Sequence, residues 1–220
     1  MGQRRDVARQ ALMDAAEELF ARFGVDAVSN RSIVEHAGAA NHSAITYHFS
    51  GREGLLRALL VRQAQDTRER RAKYVAQLDD DADLWALVAC RILPWVEQLD
   101  SLPVPSWRAR FLAQVRSMPT VAEMISDSVP HPDDVESIGA RMLEHIEGGT
   151  SRTLRARASI LGNVVVDVCA GYEEQLEKGE AEGTWIDVGH FLVDSVSGML
   201  AAPVTHRGAY FSPSSLSGLL

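Results

Sequence analysis

VARQALMDAAEELFARFGVDAVSNRSIVEHAGAANHSAITYHFSGREGLL, residues 7–56, sets three short amphipathic segments in succession. In the first, Ala8, Leu12, Ala15, Leu19 and Phe23 recur at spacings of three and four. Ala11, Ala16 and Phe20 widen that stripe into one apolar helix face. Glu17, Glu18 and Arg22 fall on the wet side, and Gly24 stands where a left-handed cap ends a helix. Ser29 is placed to cap a second helix, which turns Ile33, Val34 and Ala37 inward and stops at Gly38. The third helix is read as His42 to Phe49, with Ile45 and Phe49 four apart on one face. Ser50-Gly51-Arg52-Glu53 has the S-x-x-E form of a capping box opening a fourth helix.

Two short helices joined by a tight turn, the second polar on its free face, form a device that lays one helix in the major groove of DNA. Such a helix needs small or polar side chains that let the backbone approach base edges, and donors for phosphate oxygens. Asn41, His42, Ser43 and Thr46 have that chemistry, and Ser32 of the second helix joins the expected DNA-binding set. Tyr47, His48 and Arg52 are suited to phosphates and to fixing register. A small helical subdomain with a polar surface would account for any one of these residues, but not for the whole arrangement.

Residues 7–56 resemble the DNA-binding domain of the TetR family of bacterial transcriptional regulators. ALMDAAEELFARFGVDAVS, RSIVEHAG and AITYHFSGREGLL carry the resemblance, and Tyr47-His48-Phe49 followed by Arg52 and Glu53 is its most specific part. The resemblance implies phosphate contacts from Tyr47, His48 and Arg52, and base-facing positions around Asn41, His42, Ser43 and Thr46. The stretch AANHSA between Gly38 and Ile45 is one residue longer than in most members. The resemblance covers about a quarter of the chain; beyond residue 60 it implies architecture alone.

The chain has 220 residues and a net charge of −8, an odd balance for a DNA binder. Residues 1–78 hold twelve Lys and Arg against nine Asp and Glu; residues 79–220 hold ten against twenty-one. The ends therefore carry +3 and −11, and the acidic part would be repelled by phosphate and turn the basic end toward DNA. Arg68, Arg70, Arg71 and Lys73 read as a solvated face of the fourth helix. No apolar run approaches a membrane span, and the charged start lacks the apolar core of a signal peptide, so a cytoplasmic location is expected. Cys90 and Cys169 sit in apolar surroundings and read as buried thiols.

The remainder reads as helices, giving an all-α fold of about nine to ten. Residues 1–52 form the expected helix-turn-helix domain, 53–202 a helical effector-binding and dimerisation domain, and 203–220 a flexible tail. Helices are expected at Arg52 to Leu78, from Leu84 to a kink or end near Pro94, and from Ser106 to Ser117. Others follow at Thr120 to Asp127, Asp134 to Ile146, Ser151 to Lys178 and Thr184 to Ala202. Along the last two run Ile160, Val164, Val168 and Tyr172, then Val188, Phe191, Leu192, Val196 and Met199, with Gly189, Ser195, Ser197 and Gly198 as small neighbours. The resemblance implies that this pair forms a four-helix bundle in a homodimer, and a two-fold dimer doubles the DNA contacts. The alternative is that both stripes pack inside one subunit.

The expected function is a dimeric, sequence-specific regulator on a palindromic operator, a repressor released by a small-molecule effector. An activator, or a ligand-independent DNA-binding protein of the same fold, is the alternative. Trp95, Trp107, Phe111, Met142, Asn163 and Asp167 are the candidate effector contacts, although aromatics and Met at helical spacing more often build core. Asn163 and Asp167 are polar anchors for a ligand or hydrogen-bonding groups of a dimer interface. No cofactor is expected. His145 and His131 lie near acids without metal-ligand spacing, so no metal is expected. No nucleophile elbow, phosphate loop, HExxH or dinucleotide fingerprint supports an enzyme.

Overall fold

The computed structural model describes residues 2–41, 43–116, 118 and 133–205, with side chains described except at 2–4 and 133–136. His42, the helix expected at Thr120 to Asp127, the loop holding His131 and the tail from 206 lie outside the described residues. The described residues form helices and no strands: α1 (Gly2–Phe23), α2 (Asn30–His36), α3 (Ala44–Phe49), α4 (Arg52–Val75) and α5 (Leu84–Asp100). They continue as α6 (Arg108–Val115), α7 (Asp133–Glu144), α8 (Ser151–Lys178) and α9 (Trp185–Ala201). One apolar core runs through both the helix-turn-helix and the later helices. Within it α9 packs along α5, α8 along α6, and α6 against α1.

The wheel of α1 is broader than a single stripe. Leu12, Met13, Ala16 and Phe20 are buried, whereas Phe23 is 60% exposed. Glu17, expected on the wet side, is buried as well. The reason is that α1 packs on two sides, against α2 and α4 and against α6, where Phe20 stacks on Phe111 at 6.2 Å. Burying Glu17 is tolerable because Arg62 and Arg108 stand 2.8 and 2.5 Å from its carboxylate.

Ser29 caps α2 as expected, accepting the Ser32 N–H at 3.0 Å. Ile33 and Val34 close beneath it, and Gly38 turns the chain with φ +65°. The expected capping box at Ser50 does not form. Ser50 instead adopts φ +62° as the left-handed cap of α3, its N–H donating to the Thr46 carbonyl, and Gly51 stands at the N-cap of α4. So short a connection presses α4 onto α3. A Cβ on Gly54 would lie 1.7 Å from the Phe49 carbonyl oxygen, so no side chain fits there.

Pro94 neither ends α5 nor stands in its last turn; the helix continues to Asp100. Buried residues occur round α5, so neighbours hold it where proline removes a backbone donor. Arg71 is also corrected: it is buried, while Arg68 and Lys73 of the same helix are exposed. Gly189 serves the subunit itself, since a Cβ there would meet Leu93 at 2.9 Å, and Ser197 is likewise buried. The two stripes divide accordingly. Tyr172, Leu192 and Val196 are buried and Val168 and Val188 half-buried, while Ile160, Val164, Phe191 and Met199 are 39–60% exposed. Both cysteines are buried, and burial raises the pKa of each thiol.

Candidate nucleic-acid interface

α3 is held from beneath by Ile45 and Phe49, both buried, which leaves Ser43, Thr46 and Tyr47 exposed on its outer side. Tyr47 is 66% exposed, a large ring that the fold leaves in solvent. His48 meets it edge-on at 4.9 Å, and its Nδ1 is shielded without a hydrogen-bond partner among the described residues. Asn41 accepts the Ser43 N–H on Oδ1 at 2.9 Å, and its carbonyl accepts the Ala44 N–H at 3.0 Å. Its side-chain oxygen thus makes an Asx-type bond at the entry to α3. Ser32 is exposed at the start of α2, 2.7 Å from the Ser29 hydroxyl.

Arg52 stands apart from this set. Its guanidinium donates to the Val25 carbonyl and to Asn30 Oδ1, and lies 4.9 Å over the Phe20 ring. Burial lowers its pKa, with Asp26 acting in the opposite sense. The side chain ties α4 to the loop between α1 and α2.

Residues 12–59 match the family model for bacterial regulatory proteins, tetR family. This N-terminal domain belongs to the TetR family. The match covers 48 of the 220 residues and makes this segment a TetR-type DNA-binding domain. No curated protein matches. Among solved structures, that of RolR in complex with the ligand resorcinol aligns with 94% of this chain and 100% of its own, at 14% identity and a TM-score of 0.42.

Behind the TetR domain, polar side chains link it to the later helices. Arg62 of α4 holds Asp14 and Glu17 of α1 at 2.7 and 2.8 Å. Asp66 of α4 accepts from the Gln98 side-chain amide of α5 at 3.1 Å, and the Thr67 hydroxyl donates to Gln98 Oε1 at 2.8 Å. Arg108 of α6 reaches both Glu17 and Asp66. A second link passes through α8. Arg22 of α1 and Arg110 of α6 both pair with Glu177, and their guanidiniums lie 4.2 and 4.3 Å from the Trp107 ring, one residue serving both. Glu173, buried, accepts from the Ala109 and Arg110 N–H groups and the Ser106 hydroxyl.

The six candidate effector contacts differ in burial. Trp95, Phe111 and Met142 are buried, and Trp107 is half-buried between its two arginines. Asn163 and Asp167 are exposed, and Arg116 donates to the Asn163 carbonyl and the Asp167 carboxylate, both at 2.7 Å. An open cleft of about 310 Å³ lies elsewhere, lined by Asp66, Glu69, Arg70, Lys73, Gln98, Ser101 and Leu102. Among the described residues no cluster of His, Cys, Asp and Glu could hold a metal ion, and no helix is long and apolar enough to cross a membrane.

Proposed function

We propose that this protein is a homodimeric repressor that reads a palindromic operator and is released by a small molecule. The carrying observation is the apolar surface left open on α8 and α9 by Ile160, Val164, Phe191 and Met199. Exposed apolar side chains concentrated on adjoining elements mark an interface, and a copy of the same pair is the symmetric way to cover them. Residues 1–52 act as the DNA-binding domain and 53–202 as the effector and dimer domain. Asn41, His42, Ser43 and Thr46 contact bases, Ser32 joins the DNA-binding set, and Tyr47, His48 and Arg52 hold phosphates.

Effector release acts through α4, which bonds to α1 through Arg62 and to α5 through Asp66 and Thr67. Tilting it changes the separation of the two recognition helices, which must stay about 34 Å or a multiple apart. The effector enters near Trp95, whose buried indole N–H has no partner among the described residues. Light scattering with gel shifts on the protein's own promoter region tests the reading. A monomer at micromolar concentration, or a dimer that shifts no duplex at low salt, would reject it. Promoter-driven transcription with and without the protein separates repression from activation.

A further inference from the structure

Two arginines of α1 are engaged with the recognition helix but assigned to nothing above. Arg5 and Arg9 are four residues apart and so share one face of α1. The Arg5 guanidinium lies 5.5 Å from the Tyr47 ring centre, and that of Arg9 lies 5.0 Å from the Phe49 ring centre. Both residues are exposed. Stacking occupies the flat face of a guanidinium and leaves N–H groups at its edges. Arg9 gives one donor to the Met13 sulfur at 3.3 Å.

The nearby acids of α1 are engaged elsewhere. Asp14 pairs with Arg62, and Glu17 with Arg62 and Arg108. Asp6 stands one residue from Arg5 and three from Arg9, and no ion pair joins it to either among the described residues. The result is a pair of cations with free donors, continuous with exposed Tyr47 and built into the surface that presents α3. Charge and fork geometry fit the phosphodiester backbone of duplex DNA.

We propose that Arg5 and Arg9 form an outer edge of the DNA interface, each holding one backbone phosphate while its stack steadies the recognition helix. The proposal rests on the DNA-binding reading and enlarges its contact set. It requires no knowledge of the operator, because phosphate contacts act on any sequence.

The test is the salt dependence of full-length protein binding to a short random-sequence duplex, read by fluorescence anisotropy. Arg5→Gln and Arg9→Gln should each reduce the slope of log affinity against log salt by about 0.9, and the double variant by about 1.8. Arg5→Lys should retain the slope. Arg68→Gln, an exposed charge sixteen residues along α4, should leave it unchanged. An unchanged slope in the double variant, or equal losses in the Arg68 variant, would overturn the proposal. So would weaker binding at unchanged slope with a lowered melting temperature, which is the mark of stacking alone. If the unaltered protein binds no duplex even at low salt, the DNA-binding reading itself fails.

Discussion

Tyr47 and Thr46 are neighbours in sequence with different expected duties. Truncating Tyr47 to Ala should weaken binding to all sequences alike, whereas Thr46→Ala should change which sequences are preferred. Selection from a randomised duplex library, followed by affinities on a neutral duplex, separates the two outcomes. Equal shifts in preference from both variants would contradict this division. Tyr74 offers a pH test far from DNA. Burial first, then its hydrogen bond to Glu97, raises its pKa above the ordinary 10.0. The folded state thus holds this proton more tightly than the unfolded chain. Its contribution is complete below pH 10 and is lost as pH rises toward the folded value. Denaturant titrations from pH 9 to 11 should show stability falling, and the fall should be smaller in Tyr74→Phe. Some single residues were legible in the sequence, and others had no signal. Ser29 announced its cap because small polar residues before an apolar helix have one common use. Glu173 looked like its exposed neighbour Glu174, and only the approach of α6 makes it a buried acceptor.

At the scale of elements, local chemistry fixes boundaries where it is unopposed. α8 runs from Ser151 to Lys178 as read, because Thr150 caps one end and Gly179 with φ +70° closes the other. Ser29→Ala should cost about 1 kcal/mol of stability, measured by chemical denaturation. Gly54→Ala should be far worse, since the added carbon meets backbone that cannot withdraw, and loss of the folded helix-turn-helix by circular dichroism is expected. The sequence misled where packing outweighs local preference. Pro94 is a stop signal in isolation, yet α5 passes through it because it is buried along its length. The Ser50 capping box matched in letters, but the joint between α3 and α4 needed a left-handed residue at that position. Phe23 and Glu17 changed places because periodicity in one helix cannot reveal that α6 will arrive from another side.

For the whole molecule, the division between buried and exposed members of α8 and α9 yields the sharpest test. Ile160→Glu or Phe191→Glu should leave each subunit folded and convert the dimer to monomer, read by light scattering. A dimer persisting in the double variant would place the interface elsewhere. Operator affinity should fall with dimer loss, since one helix-turn-helix then binds alone. The all-helical class and the DNA-binding domain were readable because each rests on patterns within one segment. The polar links among α1, α4, α5 and α6 were not, because Glu17, Arg62, Asp66, Gln98 and Arg108 are scattered along the chain and meet only in three dimensions.

Trp107, clasped between Arg22 and Arg110, also gives the molecule an optical signal of its own. It is one of four tryptophans. Trp95 and Trp185 are sealed from solvent and Trp85 is open to it, leaving Trp107 as the indole set between cations where α1 meets α6. Indole emission responds to charge beside the ring, so separation of these two helices would register as a change in colour and intensity. A chain with the other three tryptophans replaced by Phe would report that separation in real time, without an attached dye, during titration with DNA or a candidate effector.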